Sequence, residues 1–132
     1  MNDRETLDFH DIVVGAVYSF THTFTRDDEK LFSDLTQDSS AITMPGDTAP
    51  IVHGMLAASF FSTLVDSYCP GPNCLYISQT LLFRKALKYG DSVLVRGTVM
   101  EKSEGTQLIH LKTEILRGEE VAISGEATVK VL

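Results

Sequence analysis

The chain is short of positive charge. Its 132 residues carry 11 Lys and Arg against 18 Asp and Glu, a formal net charge of −7 with the histidines neutral. That balance excludes the basic footprint of a nucleic-acid-binding domain. It also works against long-range capture of anions, so a phosphorylated ligand would need a local basic patch. Cysteine is scarce too: Cys69 and Cys74 are the only two. No Cys or His partner stands at ligand spacing, which excludes a zinc site. The pair brackets Pro70-Gly71-Pro72-Asn73 and reads as free thiols at either end of a loop, because a reducing compartment disfavours a bridge. Met1-Asn2-Asp3-Arg4-Glu5 lacks the charged-then-apolar order of a secretory signal. The most apolar stretch is too short to span a membrane and is broken by Ser59, Ser62, Thr63 and Ser67. With no linker or low-complexity segment, residues 1–132 read as a single domain large enough to bury a core, and the cytoplasm is the expected compartment.

What is present is an ordinary globular composition, 43% hydrophobic and 22% charged, with one unusual segment. Between His53 and Asp66 there is no formal charge, and Pro50 to Gly54 open the stretch as a turn. A helix apolar on every side has to be wrapped by the rest of the protein. Its first-turn N–H groups, around Gly54 and Met55, have no intrahelical partner and carry partial positive charge. A glycine there lets a ligand oxygen come close to the main chain and suits an oxyanion. The alternative is a core helix whose glycine only eases a tight entry.

The remaining elements follow from pattern. Residues 16–24 alternate as a first strand. Thr25-Arg26-Asp27-Asp28 reads as a capping box, with a short helix over 26–36 carrying Leu31, Phe32 and Leu35 as its apolar stripe. Gln37 to Pro50 is a loop, and Pro70-Gly71-Pro72 stops the second helix. Residues 74–84 read as one strand. Val93, Val95, Gly97 and Val99 line one face of the next, residues 107–116 form a third, and Val121 to Val131 alternate in a fourth. Turns at Gly90-Asp91, Glu104-Gly105 and Arg117-Gly118 make the pairing antiparallel. The predicted architecture is α+β, an antiparallel sheet curled around one long buried helix.

This order resembles the MaoC-like hotdog family of (R)-specific enoyl-CoA hydratases and 3-hydroxyacyl-thioester dehydratases. Ile51-Val52-His53-Gly54-Met55-Leu56 is the most specific part. Tyr76 to Phe83, Tyr89-Gly90-Asp91 and Gly125-Glu126-Ala127-Thr128-Val129 extend the likeness over nearly the whole chain. The family's catalytic run is Gly-Asp-x-Asn-Pro-Leu/Ile-His. Here it reads Gln37-Asp38-Ser39-Ser40-Ala41-Ile42-Thr43, so Asp38 and Ile42 fit while Thr43 stands in place of the histidine. The loop from Thr43 to His53 is several residues shorter than the family's.

The resemblance implies a catalytic set of Asp38, Thr43 and Ser62, the last where the family's serine bonds the aspartate. It implies thioester contacts from Gly54, His53 and Met55. In that reading Asp38 is a base whose pKa is raised by desolvation; the alternative is a turn residue capping backbone N–H groups. Ser62 is likewise either a site residue or back-bonded within its helix, with Ser59 as a buried competitor. Losing one of two acid–base groups costs roughly 10²- to 10⁴-fold, and Thr43 can orient a water but not act as a base near neutrality. Of the histidines, His53 is expected to be structural, His22 and His110 to lie on the sheet surface, and His10 in a flexible segment. Arg84, Lys85 and Lys88 form the one tight basic cluster, fit for the phosphates of coenzyme A or phosphopantetheine, or simply a solvated strand end.

Three functions are consistent with these residues: hydration or dehydration of acyl thioesters, as in fatty acid or polyketide metabolism; hotdog thioesterase activity; and non-catalytic binding of acyl thioesters as a partner subunit. No cofactor or metal is expected beyond the coenzyme A or carrier-protein thioester of the substrate. Open sheet edges and strands apolar on both faces predict a homodimer, or a dimer of dimers, whose sites the partner chain helps to roof.

Overall fold

The computed structural model describes residues 6–132; the amino-terminal stretch read above for a signal pattern lies outside them. Strand β1 (Val17–Thr23) is followed by α1 (Arg26–Thr36), α2 (Gly54–Ala58) and α3 (Phe60–Ser67). Then come β2 (Cys74–Gln79), β3 (Leu82–Phe83), β4 (Ser92–Ser103), β5 (Leu108–Arg117) and β6 (Glu120–Val131). The strands form one antiparallel sheet in the order β1-β4-β5-β6-β2, with β3 also pairing β6. No helix among the described residues is long and apolar enough to cross a membrane.

The period-2 pattern of β4 decides its orientation. Val93, Val95 and Val99 are at most 3% exposed and face α3, while Gly97 leaves room for Leu64. Ile109, Leu111 and Ile115 of β5 and Val129 of β6 complete this face, and burying each such side chain contributes about 1.5–3 kcal/mol. The capping box at α1 is complete: Thr25 Oγ1 accepts from Asp28 N, and Asp28 Oδ2 accepts from Thr25 N.

Several expectations change. The single helix from 53 to 66 is two segments, because the Ser59 hydroxyl donates to the Leu56 carbonyl at 2.6 Å and competes for a helical acceptor. Nor is it wrapped on all sides: Met55, Ser59, Ser62, Thr63 and Asp66 form an exposed stripe, so Ser59 is no buried competitor of Ser62. The strand expected over 74–84 breaks at Thr80-Leu81, where the Thr80 carbonyl sits against Gly125; a Cβ there would lie 1.9 Å from that oxygen. Of the apolar stripe expected on α1 only Phe32 is half-buried, while Leu31 and Leu35 are 70% and 84% exposed.

The segment from Thr6 to Ile12 is packed, not loose. A 3-10 turn at Phe9–Asp11 holds His10 exposed, while Phe9 and Ile12 are buried and Lys102 Nζ donates to the carbonyls of both. His22 is on the helix side of the sheet rather than its surface; its Nε2 meets Asp28 Oδ2 at 2.8 Å and its ring packs on Phe60. His110 does lie on the outer face, bonded to Thr128. Cys69 is buried and Cys74 half-buried, both as thiols.

Candidate active site

The chain enters α2 through a short extended segment clamped from two sides. Val52 N donates to Leu87 O, Tyr89 N donates to Pro50 O, and Ile51 N donates to Ile42 O. These bonds fix His53 as the residue before the helix and bring the 37–50 loop against it. At the other end of that loop α1 stops at Gln37, whose φ of 62° is left-handed. Asp38 follows immediately, and its Oδ1 accepts from the Ser40 N–H and hydroxyl at 3.2 and 2.9 Å.

The result is a meeting of two residues fifteen apart in sequence. Asp38 Oδ2 lies 3.5 Å from His53 Nδ1. The carboxylate is 48% exposed and the imidazole 13% exposed, packed beside Phe32 with ring centroids 5.1 Å apart. The expected upward shift of Asp38 is overturned. Hydrogen bonds from Ser40 first, and the nearby His53 in addition, hold its carboxyl below the usual range, because the group is open to water and not desolvated. Asp38 is therefore a turn-former whose carboxylate also faces an imidazole.

Beside the start of α2 is a cavity of about 300 Å³ lined by Gly54, Ala57, Phe83, Arg84, Lys85 and Leu87, among others. It brings Gly54 together with two of the three expected cations. Arg84 Nε donates to Ser124 Oγ at 2.9 Å, which holds its side chain against β6. The third does not join them: Lys88 Nζ lies 3.4 Å from Asp47 and is turned to the 43–50 loop. Gly54 itself has a packing reason, since the Phe83 ring occupies the position of a side chain there.

Two expected members are elsewhere. Ser62 Oγ donates to Asp66 Oδ2 at 3.3 Å on the open face of α3, not to Asp38. Thr43 is exposed, and the contacts of the Asp38 carboxylate are Ser40 and His53. Met55 is 60% exposed and lines a second cavity of about 310 Å³ with Ser62, Tyr76 and Gln79.

That second cavity contains a network the sequence reading missed. Tyr76 Oη donates to Gln79 Oε1, and Gln79 Nε2 donates to the Thr80 carbonyl and to the fully buried Thr113 Oγ1. Its only sequence signal is a Gln and a Thr at inward positions of otherwise apolar strands. Burial pushes the Tyr76 phenol up to about 12, with Asp66 and Cys74 adding to the shift. Among the described residues no group of three or more His, Cys, Asp or Glu can hold a metal ion.

No family model matches the chain. It is 32% identical over 130 residues to the (R)-specific enoyl-CoA hydratase of Rhodospirillum rubrum, covering 93% of this chain and 90% of that one. To the 3-hydroxybutyryl-CoA dehydratase of Methylorubrum extorquens it is 33% identical over 136 residues, covering 98% and 87%. Among solved structures, the (R)-hydratase from A. caviae involved in PHA biosynthesis superposes with a TM-score of 0.85 at 32% identity, covering 92% of this chain and 98% of that one. An antiparallel sheet curled on a central helix, entered through Ile-Val-His-Gly and similar to these enzymes over almost its full length, makes the chain a member of the MaoC-like hotdog hydratase and dehydratase family.

Proposed function

We propose that this protein hydrates 2-enoyl thioesters to 3-hydroxyacyl thioesters and catalyses the reverse dehydration. The observation that carries the reading is the Asp38 carboxylate set beside His53 at the entry to α2. Hydration places a water oxygen on C3 and a proton on C2, so it needs a carboxylate or imidazole within reach of one water. Asp38 and His53 supply both, and ionised Asp38 is available at neutral pH. The cavity holding Gly54 with Arg84 and Lys85 fits the phosphate-bearing arm of coenzyme A or a carrier-protein phosphopantetheine. Lys88, paired with Asp47, takes no part. The test is loss of enoyl absorbance when the purified protein meets crotonyl-CoA, run beside a free-thiol assay. Thiol release without loss of the enoyl group would move the assignment to a thioesterase.

The working unit in this reading is a cytoplasmic homodimer. Among the described residues strand β2 ends the sheet with one edge unpaired, and Leu75, Ile77 and Met55 around it are 53%, 51% and 60% exposed. A second copy covering that edge and the open stripe of α3 removes both liabilities. Light scattering at micromolar concentration should give twice the chain mass; an active monomer would refute the shared assembly.

A further inference from the structure

We infer that His53 is the catalytic residue that takes and returns the proton during hydration, with Asp38 as its positioning partner. The inference rests on the hydratase reading above and assigns its proton chemistry to a residue outside the Gln37–Thr43 run.

Few groups near the entry to α2 can act as a base. Thr43 cannot do so near neutrality, and it does not contact Asp38. Three of the four histidines are committed elsewhere: His22 to Asp28, His110 to Thr128 on the outer face, and His10 to the amino-terminal 3-10 turn. His53 alone stands beside the carboxylate, at 3.5 Å through Nδ1. Its ring pairs with this carboxylate at ion-pair distance. Packing against Phe32 restricts the ring, and the clamped segment before α2 restricts the backbone that carries it.

A carboxylate beside Nδ1 favours the tautomer with its proton on Nδ1, which leaves the Nε2 lone pair free. The other titratable groups on this side are Tyr89, close to the His53 backbone, and beyond it Arg26, Asp28 and Glu29 of α1. Nε2 accepts a proton from water as the water oxygen bonds to C3 of the enoyl thioester. The C2–C3 π pair moves toward C2 and the thioester carbonyl, giving an enolate. The imidazolium then returns its proton to C2, so one water is added and Asp38 ends with the charge it began with.

The test uses the full chain with crotonyl-CoA and two variants, His53→Gln and His53→Asn, the second keeping an amide donor toward Asp38. Both should fold, shown by an unchanged near-UV spectrum, and both should lose about 10²- to 10⁴-fold in kcat with a smaller change in KM. The acid-side limb of kcat/KM in the wild type should vanish with them. Imidazole ¹⁵N spectra of the wild type should show the His53 proton on Nδ1, and Asp38→Asn should erase that preference. Folded variants with near-wild-type kcat, or a proton on Nε2, overturn the role of His53 and leave the hydratase reading intact. A wild type with the expected tautomer and no hydration of crotonyl-CoA overturns the hydratase reading, and the role of His53 falls with it.

Discussion

The ring of Phe83 occupies the space that a side chain on Gly54 would take: a Cβ there would stand 2.8 Å from Phe83 Cε1. The glycine at the helix entry is therefore held by packing on β3 as well as by any need for a ligand to approach the backbone. Phe83 is 48% exposed, so its ring can swing outward when pushed.

Gly54→Ala should accordingly be well tolerated by the fold and poorly by the site. Alanine gains roughly 1 kcal/mol of helix propensity, which offsets the displaced ring. Phe83 moves relative to Arg84 and Lys85 in the cavity it shares with them. Urea unfolding should stay within about 1 kcal/mol of wild type, while KM for crotonyl-CoA rises several-fold. An unchanged KM would show that the thioester does not use this cavity.

Gly97→Ala should do the opposite, damaging stability before activity. A Cβ at this position would meet Leu64 Cδ2 at 2.8 Å, and Leu64 is fully buried between α3 and the sheet. Overpacking of this kind costs about 1–3 kcal/mol. Chemical denaturation measures it directly, and a neutral result would mean that α3 shifts away from β4 without strain.

Asp38→Asn keeps the size of the side chain and an oxygen for Ser40, so the loop should hold. It removes the charge beside His53. Turnover of crotonyl-CoA should fall at least about 10²-fold with thermal stability nearly unchanged. Near-wild-type activity in this variant would make Asp38 a turn residue alone.

Stability should decline above pH 9. Burial raises Cys69 and Cys74 from 9.0 to about 12, and Tyr76 from 10.0 to about 12. Between those values the unfolded chain releases protons that the folded chain keeps, so raising the pH favours unfolding. The urea midpoint should be flat below about pH 8 and fall steadily from pH 9 to 11. A midpoint unchanged across that range would show that these groups reach water in the folded protein.

Local patterns in the sequence determined most of the fold. The alternation of Val93, Val95, Gly97 and Val99 carried β4 to its observed face, because strand side chains alternate whatever surrounds them. Thr25 and Asp28 marked the start of α1 because a capping box closes within four residues. The likeness around Ile51-Val52-His53-Gly54 led to the right family, since those residues shape one local turn into one helix. Tertiary structure alone decided which members of the candidate site come together. Asp38 and His53 are fifteen positions apart, and their approach depends on how a short loop folds back under three backbone bonds from Ile51, Val52 and Tyr89. The partners of Ser62 and Lys88 were likewise set by Asp66 and Asp47, which stand nearer in space than the residues that motif position assigned to them. The open stripe on α3 could not be read from its apolar composition, because composition records how much of a helix wants burial and only packing decides which side receives it.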